Sequence, residues 1–444
     1  MTFDGKRVLI VGLGESGRAA AHFFAARGAV TTATDRQPEE RLQSVAEELR
    51  PLGVRLCLGG HTESLFLDQD LIVPSPGVPW DMPALQAARR SGVEVMGELE
   101  VAAGVLQGPV IGITGTNGKT TTTSLIGHIL QSAGWKAQTG GNLGRPLLSM
   151  VDEATPKTWN VLELSSFQLE ATNSFLVHIA VVLNVTPDHL DRHHTFEAYA
   201  AAKARIMQGQ TADHHVVLNA DDPTCRGFSQ QARGQVCWFS RTVPVAQGTD
   251  LRDGWIAFNG HPVMEAHLPI KGSHNLENAL AAVAAASLAG VAKEKIAEAV
   301  RTFQPVEHRL EFVRTLDGVD YYNDSKATNV DASLKAIEAF DGNLWVILGG
   351  SDKGSDYVAL REPLAARARA ALLIGHSAAK LARQLGGALP CHEVVTLEEA
   401  VRFARREAKP GDTVLLAPAC ASFDQFSNYG HRGRVFKELV HSLE

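Results

Sequence analysis

Lys119 and Thr120 stand in the stretch PVIGITGTNGKTTTT, Pro109 to Thr123, where residue types and spacing suit the handling of a polyphosphate. Lys119 would neutralise β- and γ-phosphate oxygens, and the Thr120 hydroxyl could hold Mg²⁺. Gly115 and Gly118 let the backbone close on the phosphates, and the N–H groups around them, from Thr116 and Asn117 to Thr121, can point at an anion. The motif is TGTNGKT, with Ile113 where the strict phosphate-loop pattern has glycine. A glycine turn before an ordinary helix is the plainer alternative, and the sequence favours nucleoside-triphosphate binding over it.

Other polar groups close apolar runs. Glu163 ends NVLE and is followed by Ser165, Ser166 and Gln168. A carboxylate at a strand tip beside a phosphate loop suits a Mg²⁺ ligand or the holder of its water, although an N-cap or loop acid would look the same. Asn184, Thr186, Asp188, His189 and Asp191 follow AVVLNV, and a single histidine such as His189 is more often structural than a ligand. Lys203 shares a helical stripe with Phe196, Tyr199 and Ile206. Its ammonium either snorkels to water or turns inward to phosphate, and spacing alone favours snorkelling. Toward the C-terminus, His308-Arg309, Asp324 to Asn329, Asp352-Lys353 and Ser422 to Tyr429 also follow apolar runs. Arg309, Lys326 and Lys353 at such places suggest a site for anions.

These residues need strands that end together and helices that start there. The run Val110 to Ile113 is a strand, and the helix after Gly118 carries Leu125, Ile126, Ile129 and Leu130 on one face and stops at Gly134. Upstream, RVLIVGLGESG runs into Gly12, Gly14 and Gly17, and the next strand, AVTTATD, ends at Asp35. That is a GxGxxG fingerprint with its ribose-binding acid. Alone it suggests NAD, but it reports a phosphate-bearing ligand without saying which, and the downstream loop makes NAD the lesser reading. LIVPSPGVP and VEVMGELE continue the alternation. A boundary at Gln107-Gly108 divides residues 1–108 from a block 109–304, in which VVLNADDP is another strand-end loop and His274, Asn275 and Asn278 enter an alanine-rich helix. Residues 305–444 alternate again, with strands in VDYYND, LWVILGG, ALLIG and TVLLAPA. The fold class is α/β.

Composition narrows the function. At 444 residues the chain is long enough for about three domains. A net charge of −7 argues against a protein that coats nucleic acid or anionic lipid. No apolar run is long enough for a membrane span, and no signal peptide is evident at the N-terminus. Five scattered cysteines without a CxxC pair read as reduced thiols in a cytoplasmic protein, neither a zinc site nor a disulfide framework.

Taken together, TGTNGKTTTT, NVTPDHLDRH, GSHNLENALAA, EHRLE, NDSKATN and GGSDKG, in this order, resemble the Mur ligases, ATP-dependent amino-acid ligases of peptidoglycan synthesis. ELSSFQLE and LLAPACASFDQFSNYGHRG are similar to the member that adds D-glutamate to UDP-N-acetylmuramoyl-L-alanine. The resemblance implies three α/β domains: an N-terminal Rossmann-like one for UDP, a central P-loop-type ATPase with a mainly parallel sheet, and a C-terminal Rossmann-like one for the amino acid. It implies ATP and two Mg²⁺ ions, a cytoplasmic monomer, and an acyl phosphate intermediate. By the same resemblance, Thr120 and Glu163 hold one Mg²⁺, and His189 and Lys203, the lysine as a carbamate, serve the second. Under the resemblance, Lys203 moves from the snorkelling reading to a functional one. Gly14, Ser16, Asp35, Ser75, Pro76, Gly77, Asn142 and His189 face the UDP-linked substrate, Asn142 orienting its muramoyl-alanyl part. Asn275, His308, Arg309 and Asp324 join the loop at the nucleotide, Arg309 at the γ-phosphate. Lys326, Thr328, Lys353, Ser422 and Tyr429 serve D-glutamate.

Overall fold

Strands in this chain are short runs of aliphatic residues that lie buried on both faces, the pattern of parallel sheets covered by helices. The computed structural model describes residues 2–142, 144–268, 272–304, 307–352 and 354–444. Among these residues the strands fall into three sheets. The first contains β1 (Arg7–Val11), β2 (Val30–Asp35), β3 (Arg55–Leu58), β4 (Leu71–Pro74) and β5 (Glu94–Val95), in the order β3-β2-β1-β4-β5 and parallel throughout.

The second sheet contains β6 (Val110–Thr114), β7 (Ala137–Gly141), β8 (Trp159–Glu163), β9 (Ile179–Val182), β10 (His215–Asn219), β11 (Gln235–Ser240), β12 (Gly248–Arg252), β13 (Trp255–Phe258) and β14 (His261–Glu265). Its order is β14-β13-β12-β11-β10-β9-β6-β8-β7, with β13 and β14 antiparallel at one edge. The third contains β15 (Glu311–Leu316), β16 (Val319–Asn323), β17 (Leu344–Gly349), β18 (Ala368–Ile374), β19 (Cys391–Val395) and β20 (Thr413–Leu416), in the order β15-β16-β20-β17-β18-β19. Only the β15–β16 pair is antiparallel among the described pairs of that sheet.

The chain forms two compact units. Met1–Val185, Arg192–Glu265 and Leu280–Ala299 make the first, which holds the first two sheets. Thr186–Asp191, Ala266–Ala279 and Val300–Glu444 make the second, which holds the third sheet. Among the described residues, the five cysteines are free thiols, and no helix is long and apolar enough to cross a membrane.

Glycine shapes the turns that matter most. Gly12 follows β1 at φ +87°, and a Cβ at Gly17 would collide with the Gly12 carbonyl oxygen and the Ser75 hydroxyl. The helix Glu15–Ala25 can therefore approach β1 closely only with glycine at position 17. The helix Lys119–Ser132 starts at Gly118 and ends before Gly134, as its apolar spacing requires. Within VEVMGELE, Glu94–Val95 is strand and a helix begins at Glu98 and runs to Ala103, which continues the alternation. Gly97 breaks the run, and Leu99, Val101 and Ala102 are buried by the helix instead. The edge elements β7, β14, β15 and β19 carry polar residues and gave no strong alternation.

Gly17→Ala is expected to destabilise the first unit by about 1–3 kcal/mol, because the added methyl has no room without a backbone shift. Urea unfolding followed by circular dichroism checks this, and an unchanged midpoint would count against the close packing.

Candidate active site

Strand β6 is buried along its whole length and delivers the glycine loop to the start of the helix Lys119–Ser132. Gly115 has φ +149° and Gly118 φ +86°, conformations that favour glycine. Asn184, at the end of β9, clamps the loop with side chain and backbone. Its Oδ1 accepts from the Asn117 N–H at 2.8 Å, its Nδ2 donates to the Asn117 carbonyl at 3.1 Å, and its carbonyl accepts from the Thr116 N–H at 2.9 Å. The Lys119 ammonium donates to the Gly115 and Thr116 carbonyls at 3.0 and 2.9 Å, so it lies across its own loop. Thr121 is buried and its hydroxyl has no hydrogen-bond partner among the described residues.

Lys203 does not snorkel. It is 1% exposed, donates to the Gly115 carbonyl at 2.7 Å, and sits 4.5 Å from the centre of the Tyr199 ring. The Tyr199 hydroxyl is in turn 3.2 Å from that of Thr116. Spacing placed Lys203 on the apolar stripe correctly; the fold decides where its tip goes.

Glu163 ends β8 and is 3% exposed. One carboxylate oxygen accepts from the Thr120 hydroxyl at 2.6 Å and the other from the Asn142 carboxamide at 2.9 Å. The strand pairing explains the meeting: β8 lies between β6, which feeds the loop, and β7, which feeds Asn142. Oxygen donors of this kind, one carboxylate and one hydroxyl, suit Mg²⁺, which takes few protein ligands and fills its octahedron with phosphate oxygens and water. The Thr120–Glu163 pair thus fits the ion that the sequence suggests.

In the first sheet, the Asp35 carboxylate accepts from the Leu13 and Gln37 N–H groups, both at 2.8 Å, and so braces the glycine turn from the end of β2. Gly14 caps the helix that begins with Glu15, and Ser16 follows in its first turn. The Ser75 hydroxyl donates to the Gly12 carbonyl at 2.8 Å, which brings the Ser75-Pro76-Gly77 turn after β4 against the same loop.

The second unit assembles its own cluster. His189, at φ +53°, places Nε2 3.6 Å from Asp188, whose carboxylate also accepts from Asn329 at 3.1 Å. Asn275 is buried and accepts from Asn278 at 3.1 Å. Burial, with Arg309 and Lys335 nearby, pushes the His274 imidazole down to about 3, so it is neutral. Burial pushes the Asp324 carboxyl up to about 6, with Arg309 and Lys326 opposing. His308 stands at φ +65°, its Nδ1 2.9 Å from Asn323 Nδ2 and its N–H donating to Glu311 at 2.9 Å. Burial raises the Glu311 carboxyl, but hydrogen bonds from His308 and Lys437 outweigh it and bring the group to about 2. The Arg309 Nε is buried with no partner among the described residues.

Strands β16, β20 and β17 are neighbours, so the loops after their carboxyl ends lie side by side. Lys326 and Thr328 follow β16, Ser422 follows β20, and the Lys326 ammonium lies 5.6 Å from the Tyr429 ring centre. Lys353, expected at D-glutamate, lies outside the described residues. Arg432, which the sequence reading missed, joins two of these loops. Only 1% exposed, it donates to the Ser325 hydroxyl and carbonyl at 3.0 and 2.8 Å and to the Cys420 carbonyl at 3.2 Å. The Tyr429 carbonyl accepts from the Ser325 hydroxyl at 2.8 Å. An arginine inside GHRGRVF gives no sequence signal of burial, because its partners lie far away in the chain.

Family models match along the chain: a Mur ligase MurD-like N-terminal domain over residues 6–97, a Mur ligase middle domain over 113–286, and a Mur ligase glutamate ligase domain over 308–420. A UDP-N-acetylmuramoylalanine–D-glutamate ligase from Solibacter usitatus is 56% identical over 445 residues, covering 100% of this chain and 99% of the relative. The chain belongs to the Mur ligase family. With that, the NAD reading of the first glycine turn falls. A second ligase of the same description, from Koribacter versatilis, is 51% identical over 448 residues, with 100% and 99% covered. Among solved structures, the Mur ligase MurC (UDP-N-acetylmuramate-alanine ligase) of Thermotoga maritima aligns with TM-score 0.65 at 20% identity, over 98% of this chain and 99% of its own. A pseudomurein peptide ligase type C of Methanothermus fervidus aligns with TM-score 0.62 at 20% identity, over 99% and 100%. These two likenesses speak for the three-domain fold. Membership in the family implies use of ATP.

The raised Asp324 carboxyl gives a signed pH effect. A group whose folded pKa lies above its unfolded value stabilises the fold below the unfolded value, and that contribution is lost as pH rises through the folded one. Relative to Asp324→Asn, the wild type should lose about 2 kcal/mol of stability between pH 4 and pH 7. Chemical unfolding of both proteins at the two pH values checks this, and parallel pH profiles would contradict it.

Proposed function

We propose that this chain joins D-glutamate to UDP-N-acetylmuramoyl-L-alanine with hydrolysis of ATP to ADP and phosphate, in the cytoplasmic stage of peptidoglycan precursor synthesis. The observation that carries this reading is the 56% identity, end to end, with a ligase of that description. ELSSFQLE and LLAPACASFDQFSNYGHRG support it. The protein acts as a monomer in this reading, without nucleic acid or membrane, and its domains are residues 1–108 for the UDP moiety, 109–304 for ATP and 305–444 for the amino acid.

The chemistry must bring a carboxylate to a triphosphate, anion to anion. Lys119 leaves the Gly115 and Thr116 carbonyls for the β- and γ-oxygens, and the N–H groups at the start of the helix Lys119–Ser132 take the phosphates. Thr120 and Glu163 would hold one Mg²⁺, and His189 with Lys203 as a carbamate a second, ions that supply positive charge to the moving phosphoryl group. As a carbamate, Lys203 would keep an N–H for the Gly115 carbonyl and gain two oxygens. Asn142 turns the alanyl carboxylate toward the γ-phosphate. A carboxylate oxygen attacks phosphorus, the bond to the β-phosphate oxygen breaks, and ADP leaves. The amine of D-glutamate then attacks the acyl phosphate carbon. The tetrahedral intermediate collapses with loss of phosphate and a proton, leaving the amide.

Gly14, Ser16, Asp35 and the Ser75-Pro76-Gly77 turn receive the UDP-linked substrate, with His189 assigned to it as well as to the metal. Asn275, His308, Arg309 and Asp324 serve the nucleotide, Arg309 countering γ-phosphate charge. Lys326, Thr328, Lys353, Ser422 and Tyr429 bind the D-glutamate carboxylates. The test is phosphate release from ATP with UDP-N-acetylmuramoyl-L-alanine and each of D-glutamate, L-glutamate, L-alanine and meso-diaminopimelate. Release should depend on D-glutamate and fall at least about a hundredfold in Lys119→Ala, as loss of transition-state charge stabilisation requires. Release with a different amino acid would keep the mechanism and move the substrate assignment.

A further inference from the structure

The short helix Glu98–Ala103 carries two acids that behave differently. Glu100 is fully engaged: it accepts from the Asn173 N–H at 2.6 Å, the Ser174 N–H at 3.0 Å and the Thr172 hydroxyl at 3.1 Å. Those bonds hold its carboxyl below the usual range although burial opposes them. That is how a carboxylate looks when its task is to fasten a loop.

Glu98 is 4% exposed and less completely paired. Its Oε1 accepts from the Leu148 N–H at 3.2 Å, while Oε2 has no partner among the described residues. The Gln168 carboxamide nitrogen is likewise buried without a partner among them, and its oxygen is already taken by the Ser165 N–H and hydroxyl, both at 3.0 Å. Burial pushes the Glu98 carboxyl up, against the hydrogen bond from the Leu148 N–H. Glu98 and Gln168 line one small cavity together with Ser75 and Pro76.

The placement joins three loops. Ser75 and Pro76 follow β4 and meet the first glycine turn through the Ser75–Gly12 hydrogen bond, Leu147 and Leu148 lie just downstream of Asn142, and Gln168 follows Glu163. Gly97 seats this helix start against the end of the Ser166–Glu170 helix, since a Cβ there would come within 2.7 Å of the Ala171 Cβ. A carboxyl that lines a cavity with the Ser75-Pro76 turn beside one glycine loop, and accepts from Leu148 downstream of Asn142 in the next sheet's loop, can set the distance between them.

We propose that Glu98 is a positioning residue for the UDP-linked substrate, fixing the Ser75-Pro76 turn and the segment after Asn142 in register while touching no reacting atom. The inference rests on the assignment of UDP-N-acetylmuramoyl-L-alanine as substrate. Glu98 then governs affinity for that compound and leaves ATP and D-glutamate alone.

Steady-state kinetics and calorimetric binding of UDP-N-acetylmuramoyl-L-alanine, on wild type, Glu98→Ala, Glu98→Asp and Glu98→Gln, test it. Glu98→Ala should raise KM for the UDP-linked substrate at least about tenfold while KM for ATP and for D-glutamate stay within about twofold, the mark of lost ground-state positioning. Glu98→Gln keeps the side chain's shape and a hydrogen-bonding edge, and should bring that KM back to within about threefold of wild type. Unfolding midpoints show which variants fold; if Glu98→Ala does not, Glu98→Asp, which draws the carboxyl back by one methylene, should show the same selective rise. A KM for the UDP-linked substrate unchanged in every folded variant, or all three KM values rising together, would overturn the proposal while the wild type still turned over. If the wild type neither bound nor used UDP-N-acetylmuramoyl-L-alanine, the substrate assignment and this inference would fall together.

Discussion

A carboxylate buried at a strand end has to be met by donors or by a cation, and Glu163 imposes that condition on the first unit. Its two oxygens take the Thr120 hydroxyl and the Asn142 carboxamide. The phosphate loop and the Asn142 loop are therefore fixed relative to the same group. Strand order makes this possible, since β8 lies between the strands that feed the two loops. In the proposed reaction the same geometry sets the carboxylate of one substrate against the γ-phosphate of the other.

Around that pair, the loop is held by side chains from two neighbouring elements. Asn184 ties down Thr116 and Asn117, and Lys203 and Lys119 both donate to the Gly115 carbonyl. The two side-chain nitrogens thus converge on a single carbonyl oxygen of the loop. In the second unit, Arg432 does corresponding work by binding the loops after β16 and β20 to each other. Burial brings its guanidinium down to about 10, still charged at neutral pH.

Much of this was legible in the sequence, for steric reasons. The turns at Gly12 to Gly17 and Gly115 to Gly118 demand glycine by close approach or positive φ, and such positions read clearly in one dimension. Continuous apolar runs such as Val8–Val11 and Val110–Thr114 announced buried parallel strands. Lys203 was half legible: its stripe showed that the stem is buried, but not that the tip meets the Gly115 carbonyl. Arg432 and Glu98 were silent because their value lies in partners that are distant in sequence.

The central claim is that Glu163 and Thr120 form the protein's part of a cation site shared with ATP. Titration of Mn²⁺ into the protein with ATP, following free Mn²⁺ by electron paramagnetic resonance, tests it most directly in wild type and Glu163→Gln. The account predicts Mn²⁺ affinity weaker by at least about tenfold in the variant, with ATP binding in excess EDTA unchanged, as expected when a metal ligand is removed and the loop is left intact. Equal Mn²⁺ affinity in the two proteins would contradict it.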